Sequence, residues 1–119
     1  MVIIKESKDR ITESGVKDLN PRGFLNVMED LRDNNLTVFD ECILTTTKIG
    51  TFGNTGIFKI FKIDHREIII TDGKGGGGTI KLASIKFARI SEKLISIVFD
   101  DGSIYGLRFK QAIPSQYYT

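Results

Sequence analysis

The chain has 119 residues, 40% of them hydrophobic and 27% charged, with a net charge of +2. That length supports one domain with a single modest core. The charge is too small to demand a polyanionic partner, and no apolar run approaches the ~18 residues of a membrane-spanning helix.

Val2-Ile-Ile4 reads as a short edge strand, followed by a polar stretch to Asn20 with caps at Thr12 and Gly15. Asn20-Pro21 is a helix start: Asn can cap free amides, and Pro at the first helical position loses no hydrogen bond. Phe24, Val27, Met28 and Leu31 then recur at helical spacing, and Asn34-Asn35 ends the run. From Leu36 the pattern changes to β-formers, with three consecutive threonines before Lys48. Gly50, Gly53, Asn54 and Gly56 predict a long turn. Ile57–Ile63 and Arg66–Thr71 read as strands joined at Asp64-His65. Thr79–Ile90 changes its apolar parity near Ser84-Ile85, which predicts a bulge or a strand break. Leu94–Phe99, a tight turn at Asp100-Asp101-Gly102, and Tyr105–Phe109 complete the pattern.

The expected fold is mainly β (α+β): one N-terminal helix, then a roughly six-stranded antiparallel meander. The boundaries of this single domain (1–119) are a helical segment at about 10–35, a β-rich region at about 36–110 and a polar tail at 111–119. The element order is similar to that of SH3-like and Sm-like small barrels, so a small barrel or sandwich is expected. The resemblance covers element order alone. Sm proteins carry an Asp-Gly pair in an early turn and an Arg-Gly pair late in the chain. Here Asp101-Gly102 is late and Asp40-Glu41 lacks the glycine, so no RNA-binding residue is carried over.

The most unusual segment is Asp72-Gly-Lys-Gly-Gly-Gly-Gly-Thr79. Consecutive glycines lose much backbone freedom on ordering, so the loop is either mobile, held at unusual angles or closely approached. Successive amides could form an anion nest at Gly75, Gly76 and Gly77, with Lys74 adding charge. The P-loop pattern is not met, because the lysine precedes the glycines and a strand follows them. Arg89, Arg108 and Tyr105 are the strand residues expected to share a surface with basic and stacking character.

Other chemistry is sparse. His65 is the only histidine and Cys42 the only cysteine. One of each cannot supply the usual zinc ligand set, and Cys42 within a strand is expected to be a core thiol. No nucleophile–base pair, paired carboxylates or cofactor motif is met, so no enzyme, metal or cofactor is expected. A single cysteine precludes an intrachain disulfide and favours a cytoplasmic setting. High Ile, Lys, Asn and Asp usage without Trp suggests an AT-rich coding genome, such as a low-GC bacterium or one of its phages. The expected function is a small intracellular binding module, of the accessory or inhibitor kind, acting on a protein or nucleic-acid partner, with self-association through strand edges. The alternative is a small-molecule binder holding a nucleotide or other phosphate ligand at the glycine loop.

Overall fold

The structure, a computed structural model, describes residues 15–119. The strand expected at Val2–Ile4 and the cap at Thr12 lie outside the described residues. A short strand, β1 (Val16–Leu19), comes first, where the sequence suggests helix. It pairs antiparallel with β6 (Ile85–Ser91), Asp18 facing Arg89 across the pair. Local patterning missed it because four residues carry no period; its partner lies about seventy residues on.

Helix α1 (Pro21–Asp33) starts as expected, with the Asn20 side chain accepting from Gly23 N at 2.7 Å. A Cβ on Gly23 would crowd that oxygen at 3.3 Å, which explains a glycine in the first turn. Asn35, in the left-handed region at φ 58°, ends it. Phe24, Met28 and Leu31 are fully buried against β6 and β1.

The other strands are β2 (Val38–Thr46), β3 (Gly50–Ile63), β4 (Glu67–Thr71), β5 (Gly77–Lys81), β6 (Ile85–Ser91), β7 (Leu94–Phe99) and β8 (Ile104–Phe109). All pairings are antiparallel, in the order β1-β6-β7-β8-β2-β3-β4-β5. One expected meander of roughly six strands is therefore two meanders, β2 to β5 and β6 to β8, joined by β2–β8 pairing. The eight-stranded sheet is not closed, since β1 and β5 end it unpaired with each other. It is nevertheless curled: Gly78 on β5 lies against Tyr105 on β8, across the inner face.

The expected parity change is a 3₁₀ turn, Leu82–Ser84, followed by a register shift around Lys86. The expected turn at Gly50–Gly56 is not one. Those residues are the first half of β3, paired with Thr46 back to Glu41, and the turn is Thr47–Ile49. Gly56 (φ 153°) sits where two β3 residues oppose Asp40, so its glycine serves a bulge. The tail is docked: Ile113 is 2% exposed and its amide donates to Glu92 O. One apolar cluster joins α1, the inner sheet face and Ile113.

Candidate functional site

The glycine loop is ordered around its own aspartate. The Asp72 carboxylate accepts Lys74 N at 2.7 Å and Gly76 N at 2.8 Å, while Asp72 N donates to Gly76 O. These amides hold the Asp72 carboxyl below its usual range. The nest that a phosphate would use thus already holds an anionic oxygen, and a phosphate would have to displace it. Gly77 belongs to β5 opposite Thr71, at φ 119°; a Cβ there would stand 2.0 Å from the Ile70 carbonyl oxygen. The glycines at Gly73, Gly75 and Gly77 are required by positive φ.

The basic residues named from sequence do not converge on this loop. Arg89 makes a two-pronged pair with Asp18, at 2.7 Å and 3.2 Å, which lowers the Asp18 pKa and raises that of Arg89. Its guanidinium also lies 5.8 Å from the Phe87 ring centre. Arg108 faces Asp40 at 3.5 Å and Glu41 at 3.8 Å. Both arginines are exposed, on strand positions whose neighbours in sequence are buried. Arg108 and Tyr105, expected on one surface, therefore lie on opposite faces. Strand alternation carries this signal: Tyr105, Leu107 and Phe109 share one parity and Arg108 has the other. Lys74 is exposed at the loop tip.

Tyr105 instead meets Gly77 and Gly78. Together with Cys42, Leu44, Phe52, Asn54, Thr79 and Phe99 they line a cleft of about 330 Å³ between β5 and the facing strands. Gly78 and Ile80 share the inner parity of β5, opposite Ile70 and Ile68. A glycine at Gly78 leaves open the volume a side chain would fill, and a Cβ there would sit 3.5 Å from the Tyr105 hydroxyl. That parity could have been read from sequence. Its encounter with Tyr105, Cys42 and Phe52 could not, because it depends on the curl of the sheet. Burial raises the Cys42 thiol pKa, and the charges of Asp72 and Glu41 add to the shift. His65 is exposed on the β3–β4 turn, where the neighbouring Asp64 carboxylate accepts Arg66 N and Glu67 N.

A second feature is an open edge. Among the described residues, β4 pairs with β3 only from Lys59 onward, so Gly50–Ile57 are paired on the β2 side alone. All eight are exposed, with Phe52 at 51% and Ile57 at 56%. Among the described residues, no helix is long and apolar enough to cross a membrane. No protein-family model matches the chain, and neither the characterised proteins nor the solved structures compared with it give a match.

Proposed function

We propose that this chain is a non-enzymatic binding module that takes an extended segment of a protein partner along the free edge of β3. The observation that carries this reading is the one-sided pairing of Gly50–Ile57. A free edge presents a row of backbone donors and acceptors, and proteins normally blunt such edges with charges, proline or a covering element. Gly50–Ile57 contains neither charge nor proline, and it exposes two large apolar side chains. The curled sheet acts as a barrel-like base from which this arm is presented.

The flanks favour a partner other than a second copy. If Gly50–Ile57 paired antiparallel with itself about its centre, Lys48 would face Lys59 at both ends. Like charges directly opposite each other destabilise a strand pair. No carboxylate occurs from Thr45 to Ile63. An extended segment bearing carboxylates at its ends fits this edge better. The pairing of Arg89 and Arg108 with carboxylates also leaves less free positive charge for nucleic acid.

The test is affinity capture from the source cell with nuclease present, comparing the wild type with a Phe52→Lys, Ile57→Lys double variant. The captured protein is then purified and added back in hydrogen exchange. Protection of the amides of residues 50–57, and loss of capture by the variant, is the expected result. Equal capture by the variant, or protection confined to other strands, would overturn the reading.

A further inference from the structure

We infer that the cleft beneath Gly78 is a binding site for a small neutral molecule with an apolar ring system and one hydrogen-bond acceptor, anchored by the Tyr105 hydroxyl. The lining contains no charged side chain: Leu44, Phe52, Phe99 and the Tyr105 ring supply apolar walls, and Asn54 and Thr79 stand at its polar positions. At about 330 Å³ it is at the small end of ligand pockets, which typically combine apolar walls with a few placed polar groups. Tyr105 is only 9% exposed, and its hydroxyl is sealed from solvent; among the described residues no oxygen or nitrogen partners it, and the polar group beside it is the Cys42 thiol, a weak hydrogen-bond partner. Buried polar groups are nearly always well partnered, so a donor left with only a thiol at the floor of a cleft marks what an occupant would satisfy better. The lining sets the ligand's charge: it offers no cation, so an anion would lose its hydration there without a partner.

Access to the hydroxyl follows from the construction of β5. Among the described residues this strand ends the sheet and is held by β4 alone. Its first two residues, Gly77 and Gly78, have no side chains to lock it against β8. Contact with the sealed hydroxyl requires the Gly78 backbone to give way locally, and a side chain at Gly78, whose Cβ would stand 3.5 Å from the hydroxyl, would fill the space needed. The cleft shares Phe52 and Asn54 with the β3 arm, so its test rests on Gly78 and Tyr105, which lie on β5 and β8 and take no part in that edge.

The probe is prodan, a neutral naphthalene ketone whose emission shifts to the blue in apolar surroundings and to the red when its carbonyl accepts a hydrogen bond. Wild-type protein should give saturable enhancement. Gly78→Val, which adds side-chain bulk at an extended position, should weaken binding at least tenfold. Tyr105→Phe should weaken it about tenfold, the order of one hydrogen bond, and shift the bound emission further to the blue. The anionic analogue naphthoate should bind at least tenfold more weakly than prodan. Circular dichroism confirms that both variants fold. Absence of saturable prodan binding, unchanged affinity in Gly78→Val, or unchanged affinity and emission in Tyr105→Phe would each overturn the assignment.

Discussion

Two adjacent glycines should respond oppositely to the same substitution. Gly77 has φ 119°, and a Cβ there would lie 2.0 Å from Ile70 O and 2.9 Å from Thr71 Cα, both backbone atoms. Backbone cannot yield as a side-chain tip can, so Gly77→Ala must change φ and pull β5 off β4 at that end. Backbone strain of this kind costs roughly 1–3 kcal/mol before the lost pairing is counted, so a loss of about 3 kcal/mol is expected. Gly78 is different. Its backbone lies outside the positive-φ region, and its Cβ would meet only the Tyr105 hydroxyl and ring, at 3.5 Å and 3.8 Å. Those are ordinary contacts, so Gly78→Ala should be neutral or stabilising by about 0.5–1 kcal/mol through the unfolded chain. At this length 1 kcal/mol moves the melting midpoint by about 4 °C. Thermal unfolding should therefore show Gly77→Ala falling by about 12 °C and Gly78→Ala unchanged or rising by about 2–4 °C. A mobile, unstructured loop would give two small, similar shifts, and that result would refute the ordered geometry of Asp72–Gly78.

Tyr105→Phe should leave the ligand-free protein within about 1 kcal/mol of wild type in urea unfolding, because only a weak thiol contact is lost while a buried hydroxyl is removed; a larger loss would mean the hydroxyl has an oxygen or nitrogen partner. Asp64, Asp72 and Asp101 accept hydrogen bonds that place their folded pKa values below the unfolded ones. Their stabilisation is thus full above about pH 4 and is lost as pH falls through the folded values, and the triple Asn variant should show a shallower acid limb in melting midpoint against pH. Cys42, buried and with its thiol pKa raised, should react with a thiol-specific disulfide reagent only as fast as the protein opens, and faster in Gly77→Ala. Self-association through the β3 edge should be weak at low salt and strengthen with salt as Lys48 and Lys59 are screened, read by light scattering; insensitivity to salt would contradict the proposed end-to-end lysine opposition.

What sequence could show here was local. Asn20-Pro21 announced α1 because capping is decided within four residues. The parity change at Ser84-Ile85 announced the break between β5 and β6 for a similar reason. The Asp100–Gly102 turn likewise stands, with Gly102 at φ 90° and Asp101 accepting from Ser103 N. The glycines of β3 misled because glycine and asparagine usually punctuate, whereas here the long partner β2 recruits them into a ladder. β1 was invisible because its strand partner among the described residues, β6, lies about seventy residues on. The same limit applies to the site. Lys74, Arg89 and Arg108 were chosen by residue type, yet pairing geometry sends each arginine to a carboxylate. Tyr105 and Gly77 do converge, although on an uncharged cleft and not on a phosphate nest.

The glycine run gains its meaning from position within the run. Gly75 and Gly77 hold angles that side chains resist, and Gly76 passes within 2.5 Å of the Asp72 carboxylate for a built Cβ. These three close the loop. Gly78 is not required by the turn, since neither its φ nor its nearest contact excludes alanine. Its glycine is unexplained by loop closure but is accounted for by the cleft, because it is the inner-face residue of β5 nearest the Tyr105 hydroxyl. At Gly56 the residue type has a third use, admitting the bulge that bends the arm where β4 pairing begins. One residue type thus makes a rigid turn, an opening in the core wall and a bent free edge. Only the last two leave surface that another molecule can use, and although they share Phe52 and Asn54, substitutions at Ile57 and at Gly78 test them separately.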